Sequence, residues 1–114
     1  MAEITIYHNP RCTKSRQTLS LLRERGVEPE IVEYLKTPPN AATIRRLLSW
    51  LKLSAAEMIR PKEHRQLGLP ATHDQDELIR RMIEHPEIIE RPIVVCGNKA
   101  RLGRPPQNVL EILP

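Results

Sequence analysis

The segment "EITIYHNPRCTKSRQTLSLLRERG" limits the fold more than any other part of the chain. Ile4 and Ile6 alternate with polar neighbours, which is the period of a half-buried strand. Asn9-Pro10 then breaks the strand with a turn signal. From about Thr13 to Arg25, Leu19, Leu21 and Leu22 recur at helical spacing, and Gly26 stands where a helix C-cap glycine belongs. "EIVEYL" follows as a second strand. Strand, helix, strand over some 30 residues is a βαβ unit, which requires parallel pairing and a crossover helix.

Further along, "KTPPN" reads as a loop in which Asn40 caps the next helix, with Ile44, Leu47, Leu48 and Leu51 on one stripe. Ser54 with Glu57 has capping-box spacing and opens a short helix through Met58 and Ile59. "RPKEHRQLGLP" reads as loop or a short helical turn. Asp74 with Glu77 repeats the box pattern ahead of a helix carrying Leu78, Ile79, Met82 and Ile83, which ends near His85-Pro86. "PIVV" is a short apolar strand, and Gly97-Asn98 suits a hairpin turn to "RL". "RPPQNVLEIL" closes the chain as a helix with prolines in its first turn. The expectation is one α/β domain over residues 1–114: a mixed sheet covered by helices, with a helical insertion at about residues 40–86 between its two halves.

Composition narrows the partners. The chain has 114 residues, a formal net charge of +4 and only 3% aromatic residues, so the core must be aliphatic. Of its 18 basic residues, 13 are arginine, whose planar fork suits oxyanions. Single-strand and RNA binders need aromatic stacking platforms, and those are scarce here. A small anion is therefore favoured over nucleic acid. No run reaches membrane-spanning length, the N-terminal segment has no signal-peptide pattern, and the two cysteines form no CxxC. The expected setting is cytoplasmic and reducing, and the expected state is monomeric.

Cys12 falls at the strand-to-helix junction, where backbone N–H groups lack partners and the helix dipole is positive. Arg11, Lys14, Arg16 and His8 surround it. Such a setting lowers a thiol pKa from ~8.5 to about 3.5–7.5. It also provides an anion cradle for a substrate oxyanion, so Cys12 is the candidate nucleophile. Cys96 ends an apolar strand and reads as packing. His8 lacks neighbours that could complete a zinc site, so no metal is expected. His64, His73 and His85 lie in polar surroundings and read as solvated. Arg45, Arg46, Arg80 and Arg81 lie on polar helix faces and read as surface charge. Arg60, Arg91 and Arg104 sit at element ends, where sites are commonly built.

"HNPRCTKSRQTL", "YLKTPP", "IRPKE", "ERPIVV" and "ARLGRPPQNVLEIL", in this order over about residues 3–114, resemble the glutaredoxin-dependent, ArsC-type arsenate reductases, in a short branch marked by "HNPRCxKSR". The resemblance implies a thioredoxin-like fold with a mixed four-stranded sheet. It implies that Cys12 attacks arsenate, that His8 helps hold the thiolate, and that Arg60, Arg91 and Arg104 bind the oxyanion. It implies further that Ser15 hydrogen-bonds near the thiolate and that Pro92 is a cis-proline beside it. No bound cofactor is implied; glutathione would be the reductant and glutaredoxin would clear the Cys12–glutathione disulfide. Many such reductases carry Gly after the cysteine, where this chain has Thr13-Lys14. That difference motivates an alternative, a thiol-disulfide oxidoreductase of the same fold acting on another oxyanion or on glutathione mixed disulfides. The related Spx-type regulators, which bind RNA polymerase, are a third reading. Ser15 stands where many of those carry the second cysteine of their redox switch.

Overall fold

The computed structural model describes residues 3–114. Two compact units emerge, one formed by the N-terminal segment through Thr37 together with Arg91–Pro114, the other by Pro38–Glu90.

The first unit contains the sheet. Strand β1 (Ile4–Tyr7) pairs in parallel with β2 (Glu30–Val32), and helix α1 (Thr13–Glu24) crosses between them. On its other side β1 pairs antiparallel with β3 (Ile93–Cys96), and β3 pairs antiparallel with β4 (Lys99–Leu102), giving the order β2-β1-β3-β4. This mixed four-stranded sheet is the one the sequence predicts. Ile6, Val94 and Cys96 point to one face, where Leu19 and Leu22 of α1 and Val109 and Ile112 of a C-terminal 3₁₀ helix (Pro106–Ile112) bury them. Cys96 is thus a packing residue, as expected.

Local chemistry sets the ends. Gly26 takes φ +77°, its N–H donates to the Arg23 carbonyl, and the Val27 N–H donates to the Leu22 carbonyl. That is a complete Schellman stop for α1. The second strand is shorter than "EIVEYL" suggests. The Lys36 and Thr37 N–H groups both donate to the Glu33 carbonyl, so the chain turns and buries Tyr34. The C-terminal helix is 3₁₀ rather than α.

The second unit is helical: α2 (Ala41–Leu51), a 3₁₀ turn (Ala56–Met58), α3 (Pro61–Gln66), α4 (Gln75–Glu84) and a second 3₁₀ turn (Pro86–Ile88). It extends beyond the predicted block of 40–86 at both ends. Asn40 caps α2 through a 2.8 Å bond from the Thr43 N–H. The Ser54–Glu57 box closes in both directions. The second box does not. Asp74 accepts from the Asp76 N–H, while the Glu77 carboxylate is held by Arg80 and Arg81. Two further expectations are corrected here. Arg81 is 4% exposed rather than on the surface. His64 is half-buried against it, with Arg81 Nη1 3.0 Å from His64 Nε2. Helical periodicity places Arg81 beside Met82 on the rim of the apolar stripe, and a tertiary partner drew it inward.

Candidate active site

The loop between β1 and α1 is built by three residues around Cys12. Asn9 is buried: its carbonyl accepts from the Cys12 N–H at 3.0 Å, and its Oδ1 accepts from the Arg11 N–H at 3.0 Å. Its own N–H donates to Ser15 Oγ at 3.2 Å. Arg16 clamps the loop from outside, with Nη1 donating to the Pro10 carbonyl at 2.9 Å and Nη2 to Thr13 Oγ1 at 3.3 Å. Cys12 therefore occupies the N-cap position of α1 in extended conformation, with φ −90° and ψ 122°. At that position an oxygen-bearing side chain commonly accepts from the second or third N–H of the helix. Here the group facing those N–H donors is a thiol.

The electrostatics follow from this placement. Burial pushes the Cys12 pKa up, but the Ser15 N–H, the Arg91 guanidinium and the Lys14 N–H together more than offset it, so the thiol ionises below its ordinary value. The positive charge that acts most comes from Arg91, at the entrance to β3, rather than from the neighbouring Arg11, Lys14 and Arg16. Arg104, just past β4, also reaches the sulfur, with Nη2 3.5 Å from Cys12 Sγ. Its Nε donates to the Arg91 carbonyl at 2.7 Å, which ties the two arginine-bearing loops together. The Arg91–Pro92 bond is cis, as the resemblance implies.

Gly103 explains how Arg104 comes so close. Its N–H donates to the Pro92 carbonyl at 2.9 Å. A Cβ built there would collide with Thr18 Oγ1 and lie 2.7 Å from Pro92 Cγ. Only a residue without a side chain lets the end of β4 pass between α1 and Pro92.

His8 ends β1, and its backbone N–H donates to the Val32 carbonyl at 2.8 Å. The ring is buried and Nδ1 has no hydrogen-bond partner. Burial pushes its pKa down; Glu33 pulls it up, and Arg23 and Arg16 add to the lowering. A neutral imidazole is thereby favoured near neutral pH. Ser15 is wholly buried, with its hydroxyl accepting inside the loop and its N–H facing the sulfur. Arg60 lies in the helical unit, where Nε reaches Glu63 Oε2 at 2.6 Å and Nη1 reaches Glu90 Oε1 at 3.3 Å. The structure thus brings Cys12, Ser15, Pro92, Arg91 and Arg104 together within the sheet unit. Among the described residues no cluster of His, Cys, Asp or Glu could hold a metal ion.

Sequence reasoning placed Asn9 in the turn and Arg16 near the thiol, but missed the loop-building bonds of both and the close approach at Gly103. The Asn-Pro turn signal was visible, but not the three hydrogen bonds that Asn9 makes to residues within the next six. The Gly103 contact joins three elements that are distant in sequence.

Comparison with known proteins gives one direction. The ArsC family profile matches residues 7–112. The chain is 53% identical to the Escherichia coli protein named "Uncharacterized protein YfgD", with 97% of each chain covered. It is 45% identical to arsenate reductases of Neisseria meningitidis, covering 99% of this chain and all of theirs. A solved arsenate reductase from Vibrio cholerae superposes with a TM-score of 0.91 at 45% identity, over 98% of both chains.

Proposed function

The chain belongs to the ArsC family, and on that premise we propose that it reduces arsenate to arsenite through a Cys12 thiolate, with glutathione as reductant and glutaredoxin as the protein that regenerates it. It is an oxidoreductase of thioredoxin-like fold. The observation that carries the mechanism is the meeting of Arg91 and Arg104 on a helix-terminal thiol whose pKa is lowered.

Arsenate carries its negative charge on a tetrahedral array of oxygens. Two guanidinium groups and the first-turn N–H groups of α1 offer matching donors. With the oxyanion so held, the Cys12 sulfur attacks arsenic and one arsenate oxygen leaves as water. A glutathione thiolate then attacks the Cys12 sulfur. The sulfur–arsenic bond breaks with its electron pair left on arsenic, which falls from the +5 to the +3 state as the Cys12–glutathione disulfide forms. The arginines follow the charge as it moves from sulfur to oxygen, the kind of preorganised stabilisation that dominates such steps.

The remaining assignments rest on the resemblance. His8 supports the thiolate from the end of β1, and Ser15 orders the first turn beneath it. Arg60 would be the third oxyanion ligand; its two carboxylate partners, Glu63 and Glu90, would have to yield it. The protein would act as a monomer in a reducing compartment.

The test is arsenite formation from arsenate with glutathione and glutaredoxin, compared with Cys12→Ser. Turnover in the wild type that vanishes in the variant supports the reading. Wild-type turnover no higher than the variant's removes it. Arg60→Ala, assayed alongside, decides whether the helical unit contributes a cation.

A further inference from the structure

We propose that Thr18 is a positioning residue for the thiol: its hydroxyl oxygen, turned towards Gly103, sets how closely the two arginine-bearing loops approach Cys12. The proposal rests on the reading of Cys12 as the nucleophile and deepens it. Thr18 acts through Pro92 and Gly103 rather than on the sulfur itself.

The buried face of α1 changes character along its length. Leu19 and Leu22 form its apolar part, but at the cysteine end the buried residues are Ser15 and Thr18. Both are wholly buried. Ser15 serves the loop, where its Oγ accepts from the Asn9 N–H. The Thr18 hydroxyl turns back on its own helix and donates to the Lys14 carbonyl at 2.8 Å. That bond satisfies the buried hydroxyl, yet such back-bonding slightly destabilises a helix. An apolar side chain would serve a plain packing position better. The bond has a second effect. Threonine in a helix has two accessible χ1 rotamers, and a bond to the preceding turn selects one of them.

The selected rotamer brings Oγ1 against Gly103. A Cβ built on Gly103 would collide with that oxygen, and would lie 3.2 Å from Thr18 Cγ2 and 2.7 Å from Pro92 Cγ. Thr18, Pro92 and Gly103 therefore meet at one point, and all three are buried. The 2.9 Å bond from the Gly103 N–H to the Pro92 carbonyl locks two of them together. Each of those two adjoins an arginine that acts on the sulfur: Arg91 precedes Pro92, and Arg104 follows Gly103. On the other side of the contact, α1 carries the Lys14 and Ser15 N–H groups that face the thiol, one turn before Thr18. The contact thus fixes the spacing between the helix donors and the arginine donors. A hydroxyl oxygen is smaller than a methyl group, so threonine admits a closer approach here than valine would.

Alkylation of Cys12 by iodoacetamide, followed against pH, reads this spacing without arsenate. Thr18→Val puts a methyl where the oxygen meets Gly103. It should raise the alkylation midpoint by about 0.5–1 unit as Arg91 and Arg104 withdraw, a fraction of what an adjacent opposite charge can supply. Thr18→Ser keeps the oxygen and its bond to Lys14. It should lower stability in urea unfolding through the lost methyl and leave the midpoint unchanged. Gly103→Ala crowds the same contact from the other side and should raise the midpoint further than Thr18→Val. For arsenate, kcat/KM should fall about tenfold in Thr18→Val, less than the ~10²-fold that a misplacement of about 1 Å can cost, and stay near wild type in Thr18→Ser. An unchanged midpoint in folded Thr18→Val, or an equal rise in Thr18→Ser, overturns the proposal. If neither Thr18→Val nor Gly103→Ala folds, Thr18→Ser decides: an unchanged midpoint supports the proposal and a raised one overturns it. A wild type that forms no arsenite while the variants keep this midpoint pattern would remove the arsenate reading and leave Thr18 in its role.

Discussion

In the helical unit, Arg81 is buried with every arm of its guanidinium engaged. Nε donates to Glu77 Oε2 at 2.9 Å, Nη2 to the Pro70 carbonyl at 2.8 Å, and Nη1 faces His64 Nε2 at 3.0 Å. Arginine has no acceptor, so His64 accepts there, and the charge is neutralised where it sits. In the sheet unit, Arg104 donates to the Arg91 carbonyl and to the Cys12 sulfur, and no carboxylate among the described residues forms an ion pair with it. The same side chain is scaffold in one place and, in the function proposed above, anion receptor in the other. Carboxylate partners make the difference: a paired guanidinium has little left to offer a substrate, while an unpaired one beside a lowered-pKa thiol attracts an oxyanion. Arg60, paired with both Glu63 and Glu90, stands on the Arg81 side of this divide by its contacts and on the Arg104 side by family resemblance.

Substitutions can break or sharpen that contrast. Cys12→Ser should abolish arsenite formation altogether, read directly as product. Next, Arg104→Ala should lower kcat/KM for arsenate by about 10²- to 10³-fold, the cost of losing one preorganised oxyanion donor, with folding intact by circular dichroism. Arg81→Met should do the reverse. It should cost about 2–4 kcal/mol of stability in urea unfolding, because buried hydrogen-bonded partners lose their donor, and leave the Cys12 alkylation rate unchanged. If Arg81→Met lowered kcat/KM as far as Arg104→Ala does, the division into scaffold and receptor would fail.

The thiol supplies a pH test. Its pKa is lowered and the thiolate is the reactive form, so alkylation should stay fast below the pH where an ordinary thiol, with a pKa of about 8.5, slows. Arg91→Ala removes a cause of the lowering and should move the alkylation midpoint upward. An unchanged midpoint would transfer the effect to the helix N–H groups alone. The smallest effects concern the caps of α2. Asn40→Ala should destabilise by about 1 kcal/mol. Lys52→Gly should stabilise by roughly 0.5–1 kcal/mol, because Lys52 holds φ +60° at the helix stop.

Much of the sheet unit was legible in the sequence because its signals are local. Alternation at Ile4 and Ile6, the Asn-Pro break, the Leu19–Leu22 stripe and Gly26 each mark an element by its own backbone chemistry. Cys12 was legible for the same reason: a thiol at a strand-to-helix junction is a feature of adjacent residues. Arg91 and Arg104 were visible only as arginines at element ends, and the motif resemblance ranked them. Lys52 stops α2 with no glycine to announce it, and Arg81 was misplaced because a surface arginine and a buried one look alike until the partner is known.

The sequence by itself marked most of the elements, singled out Cys12 as the cysteine at a strand-to-helix junction, and made an anion the ligand to expect. Those depend on propensity, periodicity and the partial charges at a helix terminus, all set within a few residues. Only the tertiary structure decided which arginines hold charge against the thiol and which are neutralised by carboxylates, and that Gly103 must lack a side chain. Those depend on distances between residues far apart in the chain, as with Arg104 and Cys12, which folding brings within 3.5 Å.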